Sequence, residues 1–193
     1  GQRHSELLLE LLDSVLQEAG VKLVQLDGIA YGAGPGSFTG VRIACGVAQG
    51  LALGAELPVL GVCTLQALAQ AAGHDQVIAA LDARMGEIYH AVYEKQAGKW
   101  MTVCEPNLCL PQHAPAVLNA GWFGVGSGFA LNGAVLSERY GNQLAACDAQ
   151  AIPQASAIAH YAAPLFAAGQ GSDAAQAMPL YLRDKVALKT AER

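Results

Sequence analysis

A strand, a glycine-rich turn and a helix in immediate succession constrain this chain more than any other local feature. Val24 to Tyr31 is rich in β-forming residues and is predicted to be a strand, with the Asp27-Gly28 pair weakening only its start. Gly32-Ala33-Gly34-Pro35-Gly36-Ser37-Phe38-Thr39-Gly40 follows, and the apolar run from Val41 to about Ala55 is predicted to be helical. Glycines remove Cβ bulk and a following helix offers unpaired N–H groups, so Gly34, Gly36, Ser37, Thr39 and Gly40 are candidates to cradle a phosphate or another anion. The competing reading is a tight structural connection in which Ser37 and Thr39 cap the helix. The turn is not a Walker A loop, since no Gly-Lys-Ser/Thr follows, and its spacing does not complete G-x-G-x-x-G. Arg42, one turn into the helix, suits either an anion or a surface pair.

A second unit follows the same plan, with a strand over Val59–Val62 and a helix over Thr64–Ala72. Repeated β-α units imply an α/β fold with parallel pairing and right-handed crossovers. Before them, Leu7, Leu8, Leu11, Leu12, Val15 and Leu16 repeat on one helix face between Ser5, a candidate cap, and Gly20, a stop signal. The pattern breaks at Gly73-His74-Asp75-Gln76, which places a domain junction there and divides the chain into residues 1–75 and 76–193. Beyond it, Val77–Leu81 and Glu87–Tyr93 are predicted to form a hairpin, with Gly86 at the position that needs positive φ. Trp122–Val125 is predicted to be a buried strand before the Gly126-Ser127-Gly128 turn, and Ser156–Ala168 a helix.

The 193 residues suffice to bury a core without staples. Only 14% of them are charged, against about 25% in an ordinary soluble domain, so part of the surface is expected to lie under a partner. Eleven basic and 16 acidic residues give a net charge of -5, which disfavours an autonomous nucleic-acid binder. Arg42 and Gln49 interrupt the most apolar region, and the N-terminus shows no basic-then-apolar leader, so a soluble intracellular protein is expected. Cys45, Cys63, Cys104, Cys109 and Cys147 form no C-x-x-C pair and are expected to be free, mostly buried thiols.

Other constellations point to little chemistry. His4, His74, His90, His113 and His160 show no i, i+4 pairing and no H-E-x-x-H, and neither Ser37 nor Ser127 stands in a G-x-S-x-G frame. Asp82, Arg84 and Glu87 form the densest charge cluster, suited to a polar ligand or, more simply, to pinning a turn. Gly46, Gly50 and Gly54 recur every fourth residue along the predicted helix, each costing about 1 kcal/mol of propensity against alanine. Close backbone packing against another element, within the chain or across an interface, is the expected compensation.

Five blocks in order carry a resemblance. The run Tyr31 to Arg42, Ala48-Gln49-Gly50-Leu51-Ala52, Gly61-Val62-Cys63-Thr64-Leu65, Leu81 to Tyr89, and Pro179-Leu180-Tyr181-Leu182-Arg183 are similar to the bacterial TsaB (YeaZ) family of tRNA threonylcarbamoyladenosine biosynthesis proteins. The resemblance implies an actin-like, sugar-kinase-like (ASKHA) fold of two α/β lobes. It also implies a non-catalytic cytoplasmic scaffold that pairs with the catalytic relative TsaD and the ATPase TsaE, reaches tRNA only through that complex and forms a homodimer when alone. ATP or ADP and metal are then expected in the partner subunits, with no cofactor held by this chain itself. Where the catalytic relative carries its metal-binding H-x-x-x-H, this chain reads Thr64-Leu65-Gln66-Ala67-Leu68. Threonine and leucine do not replace imidazole ligands, which also weakens the alternative of a glycoprotease-type metallopeptidase. The resemblance places Leu8, Leu12, Ala44, Val47, Ala48 and Leu51 at a partner or dimer interface. The family's opening β-hairpin and third strand, with its first phosphate loop, have no counterpart before Ser5, so the first lobe is expected to be incomplete here and to expose an unpaired edge. That same loss weakens the other alternative, an actin-like nucleotide-binding kinase.

Overall fold

A computed structural model describes residues 3–183 of the chain. Its elements, in order, are α1 (Arg3–Ala19), β1 (Ile29–Gly34), α2 (Phe38–Ala55), β2 (Val59–Cys63), α3 (Thr64–Ala71), β3 (Gln76–Arg84), β4 (Glu87–Gln96), β5 (Lys99–Cys109), β6 (Trp122–Val125), α4 (Ser127–Tyr140), β7 (Leu144–Asp148) and α5 (Ala155–Ala167). Strands β1 and β2 pair in parallel, in register from Ile29 with Val59 to Gly32 with Val62. The other five form a mixed sheet of order β5-β4-β3-β6-β7, antiparallel through β3, β4 and β5 and parallel through β3, β6 and β7.

The strand expected over Val24–Tyr31 begins only at Ile29, because Leu23–Gln25 closes a single 3₁₀ turn with Gln25 Oε1 accepting from Lys22 N at 2.8 Å. Ser37 caps α2 as expected, accepting from Gly40 N at 3.4 Å, but Thr39 lies inside the helix and caps nothing. Ser5 likewise falls inside α1, which starts earlier than the capping signal. The β3–β4 hairpin forms with Gly86 at φ 76°, and Arg84 and Met85 share its left-handed backbone.

Alternation along β3 and β4 supplies both faces of the larger sheet. Ile78, Ala80, Ile88 and Val92 meet Trp122, Phe129, Leu136 and Tyr140 on one side, while Val77, Ala79, Ala91 and Tyr93 meet Leu65 and Leu68 of α3 on the other. The long segment before β6 is pinned by side chains: Gln143 Nε2 donates to Val117 O at 2.6 Å, Arg139 Nε to Ala114 O at 2.7 Å and Trp122 Nε1 to Leu118 O at 2.8 Å.

Division at residue 75 separates the two sheets but not the chain. After β7, α5 returns to pack on β1 and α3, and Ala174 and Ala177 join Tyr31, Ala33, Cys45, Ala48 and Ala52 in the first lobe's core. The expectation that residues 76–193 form one lobe is corrected accordingly. The return depends on glycine: a Cβ on Gly28 or Gly171 would stand 2.4 or 3.1 Å from the Phe166 ring.

Among the described residues, α2 is long and apolar enough to cross a membrane by length and composition, despite Arg42 and Gln49. Its Val41, Cys45, Ala48 and Ala52 face is buried, with Cys45, Ala48 and Ala52 in the core formed with β1 and β2. The thiols are less buried than expected: Cys45 alone is buried, Cys147 is exposed and the other three lie between.

Candidate functional site

Two features stand out: the cleft between the lobes and the exposed faces of helices α1 and α2. The cleft, of about 830 Å³, is lined by Gly36, Ser37 and Gly40 from the glycine turn, Thr64 from α3, and Asp82 and Arg84 from the β3–β4 hairpin. Ser127, Leu131, Ile158 and Arg183 complete its wall. The polar groups on this wall are largely spent on the fold. Ser37 Oγ caps α2, Thr64 Oγ1 donates to Pro35 O, and Ser127 Oγ accepts from Asp82 N at 3.1 Å. Asp82 pairs with the exposed Arg84 at 3.4 Å and accepts from Arg84 N, so the charge cluster pins its turn. Glu87 takes a different partner, Arg183, at 2.7 Å.

The glycine turn is shaped around another piece of the chain. Gly34 has φ 112°, and a Cβ there would come within 2.9 Å of Leu180 O, whereas Gly36 and Gly40 meet only ordinary contacts at 3.5 Å or more. Leu180 N donates to Ala33 O at 2.7 Å, and Tyr31 Oη bonds both backbone groups of Met178. Burial holds the Tyr31 phenol above its ordinary pKa, so it keeps the proton it donates. Arg42 is engaged as well: its guanidinium lies 3.8 Å over the Phe38 ring and Nε donates to Tyr181 Oη at 2.7 Å. The C-terminal block Met178–Arg183 thus belongs to the cleft, a role its spacing in the sequence did not reveal.

At the positions where the catalytic relative would hold metal, the fit fails. Thr64 is committed to Pro35 O, and Leu68 is only 1% exposed, in a core cluster with Val77, Ala79 and Tyr93. No three His, Cys, Asp or Glu side chains converge on a possible ion among the described residues. His90, the one fully buried imidazole among the described residues, bonds Tyr140 Oη at 2.7 Å, and desolvation lowers its pKa to about 4. It lies in the core of the second lobe, among residues that pack rather than react.

The exposed faces of α1 and α2 present the opposite character. Leu7, Leu11 and Val15 of α1 are 46%, 60% and 61% exposed, while Leu8 and Leu12 are half-buried. On α2, Ala44, Val47 and Leu51 lie half-buried along a flank, and Gly46, Gly50 and Gly54 face outward, where an added Cβ would meet nothing within 4 Å. The close packing expected of those glycines is therefore not made within the described chain. Ala48 is corrected from interface to core, because it sits on the sheet-facing side with Cys45 and Ala52.

The sequence and fold have counterparts among known proteins. The family model described as "TsaD: tRNA N6-adenosine threonylcarbamoyltransferase" matches residues 1–189. The tRNA threonylcarbamoyladenosine biosynthesis protein TsaB of Escherichia coli is 38% identical over 97% of this chain and 84% of its own length. That of Haemophilus influenzae is 37% identical over 96% and 82%. Among solved structures, YeaZ from Pseudomonas aeruginosa superposes with a TM-score of 0.85 at 40% identity, covering 93% of this chain and 85% of that one. By this match over nearly its whole length, the chain belongs to the TsaD family and, within it, to the TsaB (YeaZ) group with the actin-like fold.

Proposed function

We propose that this chain serves tRNA threonylcarbamoyladenosine biosynthesis as a non-catalytic scaffold, contributing a surface where its catalytic relative contributes chemistry. The observation that carries the proposal is α3: the two positions that hold metal in the catalytic pattern are a threonine spent on Pro35 O and a leucine sealed in the core. The scaffold surface is drawn from the outer faces of α1 and α2, from the half-buried Leu8, Leu12, Ala44, Val47 and Leu51 and the exposed Leu7, Leu11 and Val15. Apolar side chains at such exposure contribute most once a partner removes them from water. The occupant is a TsaD-type subunit, or a second copy of the chain when it is alone, with TsaE joining the assembly and tRNA gripped by the other subunits. A net charge of -5 agrees with that division of labour, since phosphate contacts call for basic surface. A cytoplasmic location follows from the substrate.

The test is reconstitution. Purified chain, TsaD and TsaE are mixed with tRNA, ATP and a preformed activated threonylcarbamoyl donor, and threonylcarbamoyl transfer is followed with each protein omitted in turn. Transfer that requires this chain, while the chain alone transfers nothing, turns over no ATP and cleaves no peptide, is the expected result. Undiminished transfer in its absence, or transfer by the chain alone, refutes the scaffold role.

A further inference from the structure

Residues 178–183 bridge the two lobes across one side of the cleft. Their seat on the first lobe is built from backbone: Met178 N donates to Tyr31 Oη at 2.9 Å, Tyr31 Oη donates to Met178 O at 3.1 Å, and Leu180 N donates to Ala33 O at 2.7 Å. Gly34 is shaped for this seat, because any Cβ there would press on Leu180 O. Next, Tyr181 accepts from Arg42 Nε while the guanidinium lies over Phe38, which ties the segment to the start of α2. Two residues later the attachment changes lobe. Arg183 Nη2 donates to Ala83 O at 2.9 Å and pairs with Glu87 at 2.7 Å, while Nη1 lies 3.6 Å from Met85 Sδ. These three partners sit on both arms and the tip of the β3–β4 hairpin. The Arg183 and Glu87 side chains are only 16% and 27% exposed, so water screens their pairing weakly.

We infer that Met178–Arg183 is an interlobe strap and that the Arg183–Glu87 pair is its latch, setting how far the β3–β4 hairpin stands from the start of α2. The chain crosses between the lobes between α3 and β3 and again between β7 and α5, and α3 packs on the inner face of the larger sheet through Leu65 and Leu68. The strap adds a tie at the opposite, hairpin side of the cleft. Its two ends are unequal: several backbone bonds and a glycine-shaped seat hold the first-lobe end, whereas one side chain holds the second-lobe end. Breaking the latch therefore frees the hairpin while leaving the seat assembled. The same geometry gives the glycine turn a purpose independent of any phosphate, since Gly34 admits the strap's backbone. A further 400 Å³ cavity borders the strap, lined by Phe38, Arg42, Tyr89 and Leu180–Arg183. This inference does not rest on the scaffold role, and failure of either leaves the other standing.

Hydrogen–deuterium exchange on the full chain tests it, comparing the unsubstituted protein with R183Q, E87Q and the exchanged pair Arg183→Glu with Glu87→Arg. Each single substitution is expected to speed amide exchange about tenfold at residues 181–183 and at the hairpin, residues 83–88, while the seated amides of Met178 and Leu180 keep their rates. The buried strand Trp122–Val125 is expected to keep its rate, and the exchanged pair to restore most of the protection. Glu87→Gln preserves shape and removes only charge, so it remains informative should Arg183→Gln loosen the whole fold. Acceleration confined to residues 181–183 with an unchanged hairpin, or an exchanged pair no better protected than the single variants, overturns the latch.

Discussion

Two leucine-bearing helices of this chain occupy opposite surroundings. On α3, Leu65 and Leu68 are 0% and 1% exposed between the five-stranded sheet and α5, and Gln66, Ala67 and Ala69 beside them are buried too. On α1, Leu7, Leu11 and Val15 are largely open to water. Helix α3 spends its apolar surface inside the fold, where burying each leucine contributes about 1.5–3 kcal/mol. Helix α1 holds comparable surface that no described element covers. On the scaffold reading proposed above, α3 serves as core and the exposed face of α1 as the surface offered to a partner.

The largest expected effect breaks the buried side. Leu68→Ala should cost about 2–5 kcal/mol in chemical denaturation, by lost transfer energy plus a cavity against Val77 and Tyr93. A cost below about 1 kcal/mol would show that α3 is not the sealed helix described here. A second prediction concerns pH. His90 has a folded pKa of about 4 against about 6.5 when unfolded, so in between the unfolded chain binds the extra proton and stability falls as the pH drops. The loss should approach ~3 kcal/mol from above pH 6.5 to about pH 4, and His90→Gln should flatten that part of the profile. An equally steep profile in the variant would assign the acid sensitivity to other groups.

Smaller effects sharpen the exposed side. Gly50→Ala should stabilise the isolated chain by about 0.5–1 kcal/mol, because the added methyl meets nothing and helix propensity improves. The same methyl should weaken association if a partner approaches the glycine stripe closely. Thermal unfolding and sedimentation of one preparation read both. Smallest of all, Leu11→Ala should change the isolated chain's stability by no more than about 0.5 kcal/mol. A loss comparable to that of Leu68→Ala would mean that α1 is already covered within the chain.

Much of the architecture was legible where pattern and punctuation agreed. The β1-α2-β2-α3 succession followed from apolar runs separated by glycine, and the hairpin from Gly86 between two β-rich runs. β5 was missed because Pro106 and alternating polar residues hide an edge strand that register shifts against β4 accommodate. β7, mostly exposed, carries little apolar signal, and α4 begins on Gly126-Ser127-Gly128, which reads as a loop. The glycines there instead let α4 approach β3, since a Cβ on Gly128 would lie 2.7 Å from Ala80 Cβ. At the candidate site, the identities of Thr64 and Leu68 could be read from the sequence, but not their surroundings, the Pro35 carbonyl for one and the core for the other. Which side of α2 faced the sheet was not legible, because small residues surround that helix; Ala48 was accordingly misplaced. The strap was legible only as a motif, since its partners Tyr31, Gly34 and Glu87 lie about 100 or more residues away along the chain.

The scaffold claim is tested most directly by titrating this subunit into a fixed amount of TsaD and TsaE and measuring threonylcarbamoyl transfer for the unsubstituted chain and for Leu11→Asp. A charge on an exposed position leaves the isolated fold intact but must be buried, unpaired, on association. The account predicts that the variant needs at least about tenfold more subunit for half-maximal rate and reaches the same maximum once saturating. A lowered maximum with an unchanged half-saturation point would contradict it, because the helix would then be acting on the reaction and not on assembly.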